Sequence, residues 1–279
     1  MRIGFMDSGV GGLTVLGKAI RELPCAQFLY YADTGHAPYG TRSREQVLDM
    51  VHAIVEFLVD KGSDAIVLAC NTATGIAVSS LRNRFALPVI GMEPAVKPAV
   101  ENHCNHGKDA VLHKRILVLA TPLTLQQEKF RDLVDKVDTD HIVDVLPAPS
   151  LVEYAENGIF SGTEVEGYIR HLFEGRDMQR VSAVVLGCTH FLYFRDLLIR
   201  ILPPGILLID GNEGTVRRLV SVLTETYGTA KVASCKNAGN SSCIDFYDTG
   251  HVPMAALKQN SYLKLLDGSV QQVKGEMQI

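Results

Sequence analysis

Two segments of this chain restrict what it can fold into: Val67-Leu68-Ala69-Cys70-Asn71-Thr72-Ala73 and Val185-Leu186-Gly187-Cys188-Thr189-His190-Phe191. Each is a near-continuous apolar run that ends on a cysteine and passes into polar residues. An apolar run without alternation suits a strand covered on both faces, and such strands belong to parallel sheets. The two cysteines lie 118 positions apart (188 − 70 = 118) in a chain of 279 residues. A protein that presents two cysteines in matched settings holds a redox pair, half of a metal site, or two acid/base groups facing one substrate. The remainder of the sequence favours the third.

Short apolar runs alternate with amphipathic stretches of helical length, the pattern of α/β proteins with parallel sheets. Strands are predicted at Ile3–Met6, Gln27–Ala32, Ala65–Ala69 and Val89–Gly91, with helices at Leu13–Leu23, Arg44–Lys61 and Ala73–Phe85. In Arg44–Lys61 the apolar positions Val47, Met50, Val51, Ile54, Val55 and Leu58 recur at spacings of three and four, which gives one buried face. A second series begins near Arg115. Its strands are Ile116–Ala120, Ile142–Leu146, Ala183–Leu186 and Ile206–Asp210, and its helices Leu123–Val134, Val165–Phe173, Phe191–Leu202 and Glu213–Tyr227. A further strand from Ile244 and a helix over Ala255–Leu265 close the chain.

The two series echo one another. Arg2-Ile3-Gly4-Phe5-Met6-Asp7-Ser8 resembles Arg115-Ile116-Leu117-Val118-Leu119-Ala120-Thr121, so a strand delivering Ser8 in one half matches a strand delivering Thr121 in the other. The expectation is an α/β fold of two pseudo-symmetric parallel-sheet lobes with the active site in the cleft between them. Residues 1–95 with 211–279 form the lobe that carries Cys70, and 96–210 the lobe that carries Cys188. Open parallel sheets bind ligands at the carboxyl ends of their strands, so the expected site is where those two edges meet.

With 47% hydrophobic and 21% charged residues, the chain has the balance of a soluble globular protein. Its net charge of −4, scattered along the sequence, gives no ground for a nucleic-acid or membrane partner chosen by bulk charge. No apolar run approaches the roughly 20 residues that span a bilayer. The N-terminal apolar stretch meets Asp7 too early for a signal peptide, which points to the cytoplasm. The six cysteines show no CxxC spacing, and in a reducing compartment dispersed cysteines are buried thiols or catalytic groups.

Both cysteines are expected near helix N-termini, where backbone amides and the helix dipole favour a thiolate. Asp7 and His190 stand close enough in the pattern to manage protons beside them. The turn Asp7-Ser8-Gly9-Val10-Gly11-Gly12 can cradle an anion with backbone amides. It lacks the Gly-Lys-Ser/Thr of a P-loop, and its glycines are misplaced for a dinucleotide fingerprint. His103, Cys104, His106 and His113 are ligand types for zinc, but their spacing matches no standard site and a solvated linker accounts for them. No metal is assigned. Cys25 reads as filler, and Cys235 and Cys243 as surface residues flanking a turn.

Together the motifs Ile3-Gly4-Phe5-Met6-Asp7-Ser8-Gly9, Asp33-Thr34 with Pro38-Tyr39-Gly40, Cys70-Asn71-Thr72, Gly91-Met92-Glu93-Pro94 and Gly187-Cys188-Thr189-His190 resemble the glutamate racemases of the aspartate/glutamate racemase superfamily, in order, from residue 3 to about 220. The resemblance implies a cofactor-independent isomerase that interconverts L- and D-glutamate by two-base proton transfer, supplying D-glutamate for peptidoglycan. By it, Cys70 is the base toward D-glutamate and Cys188 the base toward L-glutamate. Asp7 assists Cys70, and Glu153 and His190 assist Cys188. Ser8, Tyr39, Gly40, Asn71, Thr72, Thr121 and Thr189, with Asp7 and His190, hold the substrate.

The chain departs from the family's pattern at Gly35-His36, where an alanine-arginine pair is usual, and this leaves that loop's contacts open. The implied partner is glutamate alone, with no nucleic acid and no membrane, and the family allows a homodimer. The rival readings are an aspartate or hydantoin racemase of the same superfamily, a cysteine hydrolase built on Cys188 and His190, and a regulatory binding protein that retains the fold. A hydrolase has no use for the second matched thiol.

Overall fold

The computed structural model describes residues 1–105, 114–237 and 243–266. Its strands are β1 (Arg2–Asp7), β2 (Gln27–Ala32), β3 (Ala65–Leu68), β4 (Val89–Gly91), β5 (Arg115–Ala120), β6 (Val143–Pro147), β7 (Val181–Leu186), β8 (Leu207–Asp210), β9 (Cys243–Asp248) and β10 (Val252–Pro253). They form two sheets, ordered β10-β9-β2-β1-β3-β4 and β6-β5-β7-β8. Every pairing is parallel except β10 on β9. The central strands explain the apolar runs: β3 is buried along its whole length, and β1, β5 and β7 from their second or third residue onward.

Register places the chemistry. Met6 pairs with Leu68, so Asp7 and Ser8 leave β1 beside the Ala69-Cys70 exit of β3. In the second sheet Leu119 pairs with Leu186, which sets Thr121 beside the Gly187-Cys188 exit of β7. The two lobes share one continuous apolar core that runs from Phe5, Phe28 and Leu16 through Val216 and Leu219 to Phe191, Leu186 and Leu151. Phe5 and Phe28 meet edge to face at 5.9 Å between ring centroids.

Several elements differ from expectation for identifiable reasons. The predicted helix Leu123–Val134 is two helices, Pro122–Gln126 and Glu128–Val137, because Gln127 between them is extended. The Gln127 side chain leaves the helical path to donate to the Thr72 carbonyl of the other lobe at 3.1 Å. The segment after Cys188 opens as a 3₁₀ turn over Thr189–Phe194 before becoming α-helical at Arg195–Ile201. Helices at Val96–Asn105, Ser150–Glu156 and Thr229–Asn237 were not anticipated. Of the polar linker cluster, His103 contacts Ser182 through Nδ1 at 3.0 Å, whereas His106, His113 and the turn at 238–242 lie outside the described residues. Among the described residues no helix is long and apolar enough to cross a membrane.

The helix Arg44–Asp60 starts on a reciprocal capping box. Ser43 Oγ accepts from the Gln46 amide at 3.2 Å, and the Gln46 side chain accepts from the Ser43 amide at 3.2 Å. Replacing Ser43 by Ala leaves the Gln46 amide without its partner, while the Ser43 backbone amide keeps the Gln46 side chain. The expected loss is about 1 kcal/mol, read as a lower urea midpoint at unchanged m-value; an unchanged midpoint would show that the box carries no stability.

Candidate active site

Cys70 caps the helix Asn71–Arg84, with Sγ accepting from the Ala73 amide at 3.5 Å and lying 4.0 Å from the Ser8 hydroxyl. This placement matches the expectation from the sequence, but its consequence does not. Burial pushes the Cys70 thiol up to about 12, the Asp7 charge adds to the rise, and the Ala73 amide and Ser8 offset only part of it. Without substrate Cys70 is therefore a thiol, since desolvation outweighs the helix terminus.

Asp7 is fully buried at the end of β1. One carboxylate oxygen accepts from the Gly9 amide at 2.9 Å, and the other has no hydrogen-bond partner among the described residues. Burial raises its pKa to about 6, against the pull of the His190 charge and the Gly9 amide.

Across the cleft, Cys188 Sγ stands 3.6 Å from His190 Nδ1. His190 Nε2 lies 2.5 Å from Glu156 Oε1, and that same oxygen accepts the Val10 amide at 2.9 Å. Burial by itself would lower the pKa of His190; its contacts with Cys188 and Glu156 prevail and hold it well above the usual imidazole range. Cys188 thus faces an imidazole held in its charged form. The two sulfurs lie within electrostatic reach of one another.

The glycine turn does cradle an anion, and the anion is the chain's own Glu156. A Cβ at Gly9 would overlap the Glu156 carboxylate, and one at Gly11 would overlap His190 and Thr189. Glycine is required at both places because lobe-two side chains lie against the lobe-one backbone.

Glu153 is not brought to this site. The helix Ser150–Glu156 buries Leu151, Val152 and Ala155, and Glu153 is exposed on the opposite side. Glu156, on the flank of the buried face, reaches His190 instead. The expectation for Glu153 is corrected accordingly. With the helix itself unread, its faces could not be told apart.

The remaining candidates occupy graded positions. Thr72, Thr121 and Thr124 form a triangle of hydroxyls between the lobes, with separations of 3.1, 2.9 and 2.9 Å. Thr124 was not anticipated. The Asn71 side chain is buried, and neither its oxygen nor its nitrogen has a hydrogen-bond partner among the described residues. Ser8 and Thr189 are buried beside the two cysteines. Tyr39 is committed elsewhere, donating to Asp33 Oδ2 at 2.5 Å, while Gly40 gives room to the Thr121 side chain. At the departing Gly35-His36 pair, His36 Nδ1 meets Asp33 at 2.9 Å and the Gly35 amide donates to Thr249 at 2.8 Å.

The chain matches the Asp/Glu/Hydantoin racemase family model over residues 13–219. It is 51% identical over 224 residues to a glutamate racemase of Campylobacter curvus, covering 80% of this chain and 84% of that one. It is 46% identical over 267 residues to a glutamate racemase of Halothermothrix orenii, covering 95% and 99%. Among solved structures, Escherichia coli glutamate racemase in complex with L-glutamate and the activator UDP-MurNAc-ala is similar at a TM-score of 0.76 and 25% identity, covering 96% and 94%.

Holding Asp7 in this setting has a measurable cost. A carboxyl raised from 3.8 to about 6 is neutral without penalty at low pH; its cost to the fold builds as pH rises from the unfolded value to the folded one and is fully present above it. The Asp7→Asn protein is expected to be more stable than the parent at about pH 7.5, by as much as roughly 3 kcal/mol. Near pH 4 the advantage disappears. Equal stability of the two proteins by urea unfolding at both pH values would refute the buried ionised carboxylate.

Proposed function

Since the chain belongs to the Asp/Glu/Hydantoin racemase family and is an isomerase, we propose that it interconverts L- and D-glutamate, without a cofactor, through Cys70 and Cys188 acting on opposite faces of the α-carbon. The observation that carries this reading is the pairing of two buried strand-end thiols across one cleft. Each has its own proton-handling neighbours: Asp7 and Ser8 at Cys70, His190 and Glu156 at Cys188.

In the L-to-D direction the Cys188 thiolate takes the α-proton. The C–H bonding pair remains on the α-carbon, and the Cys70 thiol delivers its proton to the other face. The reverse reaction begins with a Cys70 thiolate. The substrate ammonium supplies what forms it, because a positive charge entering beside Asp7 and Cys70 counters the negative charge that helps hold this thiol up. Asp7, with one unpartnered oxygen and ionised above about pH 6, is the nearby proton acceptor.

No electron sink is needed if charge developing at the α-carbon and carboxylate is met by fixed donors. The unpartnered Asn71 amide is the best-placed of these, because its desolvation has already been met in folding. The buried hydroxyls of Ser8, Thr72, Thr121 and Thr189 are the further donors. By the same family pattern the enzyme works in the cytoplasm and supplies D-glutamate for peptidoglycan; the family allows a homodimer, which the chemistry does not require.

Proton NMR in D₂O tests the reading. L-Glutamate should lose its α-proton signal as D-glutamate forms, and Cys70→Ser or Cys188→Ser should lower the rate by at least about a hundredfold. Exchange of L-aspartate alone would move the substrate to the sibling branch, and a folded protein that exchanges neither is not this racemase. The two glutamates separate in the same assay. Glu156→Gln should lower kcat about tenfold to a hundredfold by removing the carboxylate from His190, whereas Glu153→Gln should leave it within about twofold. The opposite ranking would restore Glu153.

A further inference from the structure

We infer that Tyr30 is a positioning residue for the Cys188 half of the reaction, acting through the Gly9–Val10 peptide group on Glu156 and His190. The inference rests on the racemase reading. Tyr30 is fully buried on β2, with its ring set edge-on against Phe246 and Tyr262 at 6.0 and 6.1 Å. Its hydroxyl donates to the Gly9 carbonyl at 2.7 Å. The other end of that same peptide group, the Val10 amide, donates to Glu156 Oε1 at 2.9 Å. The oxygen is 2.5 Å from His190 Nε2, and the far side of the imidazole is 3.6 Å from Cys188 Sγ. Four contacts therefore lead without interruption from a lobe-one tyrosine to a lobe-two thiol.

Two features make this more than the satisfaction of a buried hydroxyl. The peptide plane has no freedom to settle elsewhere, because Gly9 lies directly against the Glu156 carboxylate and the next peptide is held from lobe two by Tyr193, whose hydroxyl donates to the Val10 carbonyl at 2.7 Å. A donor on the carbonyl also polarises the amide at the other end of the same peptide group, which strengthens its bond to Glu156. The chain of contacts stops at Cys188. The hydrogen bonds of Cys70 go to Ser8 and Ala73 instead.

That asymmetry supplies the test. Racemisation has an equilibrium constant of one, so any variant lowers kcat/KM equally in both directions, but the two proton transfers need not be slowed equally. Tyr30→Phe keeps the ring and removes the hydroxyl; kcat/KM is expected to fall about tenfold. Because the slowed step is proton transfer at Cys188, the isotope effect on kcat/KM should rise with α-deuterated L-glutamate, which Cys188 deprotonates. It should fall with α-deuterated D-glutamate, where removal of deuterium by Cys70 becomes less limiting. Tyr193→Phe should shift both isotope effects in the same sense and by less, and it serves as the test if Tyr30→Phe does not fold.

Unchanged kcat/KM, a loss with both isotope effects unchanged, or shifts of the opposite sense would each overturn the inference. A parent protein that exchanges neither enantiomer would instead remove the racemase reading, and this inference with it.

Discussion

A single carboxylate oxygen, Glu156 Oε1, is where the two lobes are joined at the site. It accepts the Val10 amide from one lobe and contacts the imidazole of His190 from the other. Much of the surrounding architecture follows from that meeting. Glycines are needed at positions 9 and 11 because a side chain at either would push the lobes apart. Two tyrosine hydroxyls hold the Gly9 and Val10 carbonyls so that the intervening amide stays aimed at the carboxylate. A second seam, the hydroxyl triangle with the Gln127 side chain on the Thr72 carbonyl, joins the lobes on the side of Thr121. The cleft is thus bounded by polar contacts whose partners come from different lobes.

The same burial that makes the site dry makes it costly. Asp7 ionises at a higher pH than a solvated carboxyl, Cys70 is held neutral, and Asn71 keeps an amide with no partner among the described residues. Native interiors rarely leave buried polar groups unmatched. Three such strains within one cleft mark it as a site shaped for a ligand that brings charge and hydrogen-bonding groups of its own. The two sides are also electrostatically unlike. Cys188 stands beside a histidine held in its charged form, while Cys70 stands beside a carboxylate. A site that treats two mirror-image substrates can therefore be asymmetric in its resting protonation.

How far the sequence reached depended on the length scale of each signal. The central strands were legible because burial on both faces demands uninterrupted apolar runs, and the exits of β3 and β7 followed from them. The short helix Ser150–Glu156 was not, because seven residues after a proline show too little periodicity to define a face, and so Glu153 and Glu156 could not be distinguished. The break at Gln127 was hidden for a different reason: it depends on a carbonyl 55 positions away in the chain. The protonation state of Cys70 was misjudged because a helix terminus can be read locally, whereas depth of burial is a property of the folded whole. At Gly35-His36 the departure from the family's pattern proved to be tied down by Asp33 and Thr249, the latter supplied by the far end of the chain.

The central claim is that each lobe supplies one acid/base group to one α-carbon. Its most direct test is the position of deuterium at early conversion when L-glutamate is incubated with the enzyme in D₂O. Two bases on opposite faces require the first D-glutamate formed to carry solvent deuterium at the α-carbon while the remaining L-glutamate is still protiated. Product that retains the original proton, or deuterium that accumulates in substrate and product at the same rate, would mean that one group serves both faces and would contradict the account.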